Sequence, residues 1–176
     1  MRARADAGRL GRFMAELGRA AEAEARVYFT GGATAVLEGW RESTLDADIR
    51  IVPDADALLR AIPRLKEELQ LNVELASPSD FIPELPGWAD RSPFIRRQGR
   101  VSFHHYDFYA QALAKIERGH AQDRGDVDEM LRRGRVHPER LRELFAAIEP
   151  QLYRYPAIDP ARFRAAVEAA TRFGTS

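Results

Sequence analysis

The hydrophobic period of the chain switches repeatedly between the helical and the strand value, and each switch marks an element. Residues 4 to 24 interleave Arg and Glu with Ala, Leu and Phe at helical spacing, which predicts an amphipathic helix. Arg26 to Thr30, centred on Val27-Tyr28-Phe29, is a short β-rich run that stops at Gly31-Gly32, and Ala33 to Trp40 is helix-competent. Leu45 to Val52 reads as a second strand halted by Pro53. Asp54 opens a helix to about Leu69, which Pro63 either kinks or splits. Leu71 to Leu75 alternates cleanly as a third strand, and Val101 to Tyr106 is a fourth. Between them, residues 76 to 99 carry Pro78, Pro83, Pro86 and Pro93 with Gly87 and Gly99, and are expected to form a long loop or lid. Asp107 is an N-cap for the helix that carries Ala110, Leu113, Ala114 and Ile116. Residues 123 to 133 and 138 to 148 are further helices, and Asp159-Pro160 opens a last one to Phe173.

This order implies an α/β fold, a mixed sheet flanked by helices with a helical C-terminal part. Residues 1–106 are expected to form the core with its lid at 76–99, and 107–176 a helical part packed on the same domain.

At 176 residues the chain can bury a proper core, and its 45% apolar and 31% charged residues are an ordinary globular balance. No apolar run approaches the roughly 18 residues that span a bilayer, and Met1 to Asp6 lacks the apolar region of a signal peptide, so no membrane is expected and the cytoplasm is the default location. With no cysteine, disulfides and thiolate metal sites are excluded. Zero net charge argues against a strongly basic nucleic-acid module. The distribution is uneven, however. Residues 96 to 142 hold eleven Arg or Lys against seven Asp or Glu, together with all four histidines, which suits either an anionic substrate or a solvated Arg-rich surface.

The candidate chemistry starts at Asp46-Ala47-Asp48, fourteen residues after the glycine pair. In a strand, residues i and i+2 share a face, so Asp46 and Asp48 stand side by side. Like charges about 4 Å apart repel by roughly 4 kcal/mol at an intermediate dielectric, a cost that a divalent cation removes. Gly31-Gly32 between a strand and a helix would let backbone approach a phosphate with no Cβ in the way, or would simply make a tight turn. Glu74 alternates with Val73 and Leu75 and shares a strand face with Asn72, the pattern of a solvent-facing polar position. Lys115 and Arg118 share a helix face. His104 and His105 are adjacent on a strand and point to opposite faces, so both cannot serve one site.

Thr30-Gly31-Gly32-Ala33-Thr34, followed by Gly39 to Ile49 with Arg41, Thr44, Asp46 and Asp48, resembles the signature of the polymerase-β-type nucleotidyltransferase superfamily. Within it, the chain looks most like the small AbiEii/MenT-like nucleotidyltransferases of toxin–antitoxin systems. A second block, Ala114-Lys115-Ile116-Glu117-Arg118 with Asp123-Arg124-Gly125-Asp126-Val127, is similar to the helical segment of that family. The resemblance implies a nucleotidyltransferase-like sheet and transfer of NMP from an NTP to a hydroxyl acceptor such as tRNA. It implies Mg²⁺ held by Asp46, Asp48 and Glu74, with Glu74 activating the acceptor. Gly31, Gly32 and Thr34 would cradle phosphates. Arg41 and Thr44 fit the segment before the aspartates, Lys115 and Arg118 would meet the triphosphate, and Asp126 would support the site. It further implies a toxin-like role with an operon-encoded partner protein. The alternative is a non-catalytic nucleotide-binding or antitoxin-like protein of the same fold.

Overall fold

The computed structural model describes residues 3–172. The expected end of the last helix at Phe173 lies outside the described residues, as do Met1 and Arg2. The chain divides into two compact units, Met1–Ser77 with Ser92–Tyr106, and Pro78–Arg91 with Asp107–Ser176.

The first unit is a mixed five-stranded sheet. Its elements are α1 (Ala7–Ala20), β1 (Ala25–Thr30), α2 (Gly32–Glu38), β2 (Asp46–Val52), α3 (Asp56–Glu68), β3 (Asn72–Leu75), β4 (Phe94–Gln98) and β5 (Val101–His105). The strand order is β3-β2-β1-β5-β4, with β1 antiparallel to β2 and parallel to β5. Alternation along β2 sends Ala47, Ile49 and Ile51 into the core and leaves Asp46, Asp48 and Arg50 on the other face. The buried face packs on Leu10, Phe13, Met14 and Leu17 of α1 and on Leu58, Ile62 and Leu65 of α3. Phe29 anchors it, with Phe103 stacked at 5.9 Å and Phe13 edge-on at 6.3 Å. Pro63 neither splits nor ends α3, because Leu58, Ala61, Ile62 and Leu65 hold both halves of the helix on the core.

The expected lid at 76–99 is corrected on two counts. Phe94–Gln98 forms β4, pairing antiparallel with β5 at the sheet edge. Its apolar signal is weak because Phe94, Arg96 and Arg97 are all exposed. Pro78–Arg91 belongs instead to the second unit, where Ile82 and Leu85 are buried.

That unit contains α4 (Phe108–Arg118), α5 (Ala121–Arg132), α6 (Pro138–Ile148) and α7 (Pro160–Thr171), with 3₁₀ turns at Pro78–Asp80 and Glu149–Arg154. The two sequence-read caps close as expected. Asp107 accepts from the Tyr109 N–H at 3.1 Å, and Asp159 accepts from the N–H groups of Ala161 and Arg162. Phe145 and Phe163 meet edge-on at 4.9 Å in its interior. Among the described residues, no helix is long and apolar enough to cross a membrane.

The β4–β5 turn is set against α1 with no room to spare. Gly99 has φ +58°, and a Cβ there would sit 2.7 Å from the Gly18 carbonyl oxygen. We expect Gly99→Ala to cost about 1–3 kcal/mol through backbone strain and this clash, read as a lowered urea midpoint at unchanged slope.

Candidate active site

The antiparallel register of β1 and β2 places Thr30 opposite Asp48, so the chain leaving β1 turns directly over the aspartate pair. On the far side of β2, parallel pairing places Asn72 opposite Asp46 and Glu74 opposite Asp48. Asp46, Asp48, Asn72 and Glu74 thus share one sheet face. The Asn72 amide donates to Asp46 Oδ1 at 2.5 Å and to Glu74 Oε1 at 3.3 Å, so a single NH₂ group holds two of the three carboxylates. The two aspartates are half-buried and Glu74 is exposed.

Two adjacent carboxylates on one face are a hard-oxygen donor set of the kind that suits Mg²⁺. Among the described residues, no group of three or more His, Cys, Asp or Glu is arranged to hold a metal ion.

The glycine turn is built for close approach. Gly31 has φ +65°, which disfavours a side chain, and a Cβ on it would come 3.1 Å from Asp48 Oδ2. A Cβ on Gly32 would overlap the Thr44 side chain, with Thr44 Cβ at 2.8 Å, and would lie 3.2 Å from Arg41 Nη1. Gly31, Gly32, Arg41, Thr44 and Asp48 are therefore brought together. Thr44 is buried, and its hydroxyl donates to the Asp46 carbonyl at 3.1 Å. Its backbone is bridged to Ala5 in both directions, at 2.7 and 2.9 Å.

Two expected phosphate contacts are placed elsewhere. Thr34 is fully buried, and its hydroxyl donates to the Phe29 carbonyl at 3.2 Å and lies 3.1 Å from His105 Nδ1, so it faces the interior rather than a ligand. Lys115 is buried in the second unit, its ammonium 2.8 Å from Asp126 and 3.8 Å from Asp123. Its charge is committed to those acids. Arg118 forks onto Asp123 at 2.8 and 2.5 Å. The second sequence block thus forms one internal network of Lys115, Arg118, Asp123 and Asp126. Burial pushes the Asp123 carboxyl up, but the hydrogen bonds and charge of Arg118, the charge of Lys115 and the His120 N–H outweigh it and hold it below the ordinary value.

Three contacts escaped the sequence reading, although the faces of Arg50, His104 and His105 did not. His105 is buried and joins two turns of α2, with Nδ1 toward Thr34 and Nε2 3.3 Å from Glu38. The opposite orientations expected for His104 and His105 were the available signal, and His104 indeed lies on the other face against Tyr28, ring centres 5.3 Å apart. Arg50, on the aspartate face, donates to the Tyr106 hydroxyl at 3.4 Å. In the second unit, Arg91 donates through Nε and Nη2 to the fully buried Asp107 at 3.1 and 2.8 Å. Burial pushes the Asp107 carboxyl up, against the opposing pull of Arg91 and of two backbone N–H groups.

Compared with known proteins, residues 9–169 match a family model described as a nucleotidyltransferase of unknown function (DUF6036). No curated protein and no solved structure matches the chain.

Because Asp123 is held below its unfolded value of about 3.9, its contribution to stability is complete above that pH and is lost as pH falls through the lower folded value. Acid unfolding followed by circular dichroism should therefore be shallower below about pH 4 in Asp123→Asn than in the wild type. At neutral pH the variant should be the less stable of the two.

Proposed function

The chain belongs to a nucleotidyltransferase family whose function is unassigned, and on that premise we propose that it transfers NMP from an NTP to a hydroxyl acceptor in a Mg²⁺-dependent reaction. One observation carries the reading: the glycine turn is packed against Asp48, with Gly31 so close that a Cβ would stand 3.1 Å from its carboxylate. Backbone stripped of side chains beside paired carboxylates is what a metal-bound triphosphate requires.

In this reading Asp46 and Asp48 would hold Mg²⁺, which supplies charge neutralisation on the triphosphate and acidifies the acceptor hydroxyl. Gly31 and Gly32 admit the phosphates, and Arg41, beside Gly32, supplies a cation to them. Asn72 keeps Asp46 oriented. Glu74, in register with Asp48, takes the proton of the acceptor. The acceptor oxygen then bonds to the α-phosphorus, the bond from that phosphorus to the β-bridging oxygen breaks, and pyrophosphate leaves. Acceptor class and biological role rest on the likeness of the two sequence blocks to AbiEii/MenT-like enzymes, and point to tRNA, a toxin-like activity and a neutralising partner in the cytoplasm. A second reading, a non-catalytic nucleotide-binding protein of the same fold, is favoured by the engagement of Lys115 with Asp126 and of Glu74 with Asn72.

Incubation with each α-labelled NTP, Mg²⁺ and total tRNA should label RNA with the wild type. Asp46→Asn and Asp48→Asn should each reduce transfer by at least about a hundredfold. If no label moves while NTP and Mg²⁺ at about 100 times Kd still raise the unfolding free energy by ~2.7 kcal/mol, the second reading replaces the first for this acceptor.

A further inference from the structure

β3 ends the sheet, and among the described residues it pairs only with β2. Its outer side therefore presents alternate backbone N–H and C=O groups to which a further strand can be added. Beside that edge, on the α3 side, Leu59, Ile62, Pro63, Val73 and Leu75, together with Lys66 and Glu67, line a groove of about 460 Å³. Leu75 is 58% exposed there, an unusual position for a leucine at the end of a core-facing strand. On the opposite side of the same edge Glu74 is exposed, and the next strand carries Asp46 and Asp48 on that face beside β3, with Arg50 beyond them.

We propose that the β3 edge and its groove dock an extended segment of another protein as a sixth strand, with apolar side chains alternating with basic ones. Strand parity selects that pattern. Neighbouring strands share faces only when directly opposed residues have the same orientation, so the added strand sends one alternate set toward Val73, Leu75 and the groove, and the other toward Glu74. An apolar set fills the groove. A basic set opposes the acidic face, where opposite charges across a strand pair stabilise and like charges destabilise.

The same parity disfavours a second copy of this chain as the occupant. An antiparallel β3 pair with its two-fold axis at Glu74 sets that carboxylate directly opposite itself. With the axis at Val73, Leu75 falls opposite residue 71 of the other copy, outside β3, and its groove stays unfilled; with the axis at Leu75 the two leucines meet, but Val73 falls opposite residue 77, outside β3, and Glu74 opposite Ala76, with no opposite charge. The docked strand lies against Glu74, which the proposed reaction also uses, so a docked strand and an acceptor compete for that carboxylate.

The test titrates the full chain against a fluorescein-labelled hexapeptide of alternating lysine and valine, followed by fluorescence anisotropy. The comparison peptides replace lysine with glutamate, or carry N-methyl groups on one or the other alternate set of backbone nitrogens. Saturable binding is expected for the lysine peptide. The glutamate peptide and one N-methylated form should bind at least about tenfold more weakly. Glu74→Lys should reverse the charge preference, and Leu75→Asp should abolish binding, each variant first shown by thermal melting to be folded. The proposal fails if the lysine peptide does not bind by ~1 mM, if the two charge patterns bind alike, or if neither N-methylated form is weakened. It also fails if sedimentation reveals a dimer that Leu75→Asp dissociates, which would make a second copy the occupant.

Discussion

The register between β1 and β2 is the constraint from which the candidate site follows. β1 lies at the centre of the sheet, held on one side by β2 and on the other by β5, and Phe29 fastens it to Phe13 and Phe103. Aromatic burial of that kind contributes roughly 1.5–3 kcal/mol per side chain, enough to resist a slip that would turn every residue of the strand to the wrong face. With Thr30 locked opposite Asp48, the chain must turn over the aspartates, and only glycine fits at 31 and 32. The core thus determines where the turn lies, and the turn in its place draws in Arg41 and Thr44.

Carboxylates in this protein follow the balance between depth of burial and the cations that face them. Asp107 is buried with one arginine and two backbone N–H groups, and desolvation still wins. Asp123 is also buried, yet Arg118 and Lys115 both face it and the balance goes the other way. Identical side chains are therefore pushed in opposite directions by their surroundings, a distinction that composition alone cannot carry.

How much was legible in the sequence depended on how local the governing interaction is. The alternation that separates Ala47, Ile49 and Ile51 from Asp46, Asp48 and Arg50 is visible within seven residues, and so are the caps at Asp107 and Asp159. The shared face of Asn72 and Glu74 was readable too, although the bond from Asn72 to Asp46, 26 positions away, was not. Thr34 shows the limit. A hydroxyl in the first turn after a glycine pair looks the same whether it faces a ligand or the interior, and the decision lies with His105, 71 positions along the chain. Lys115 is a similar case, since its engagement depends on where α5 brings Asp126. β4 was missed because an edge strand with exposed Phe94, Arg96 and Arg97 carries little hydrophobic alternation.

The path of the chain between β3 and β4 bears on how the protein can be divided. After Ser77 the chain contributes Pro78–Arg91 to the helical unit, and at Ser92 it returns to complete the sheet. Neither unit is a continuous stretch of sequence, so no single cut separates them. A chain ending at Ser77 would lack β4 and β5 and leave β1, the central strand, as a raw edge. A chain beginning at Asp107 would lack Arg91, the partner of buried Asp107. The two units are therefore interdependent in inheritance: a recombination event with one breakpoint between them transplants neither whole, and the pair passes on together.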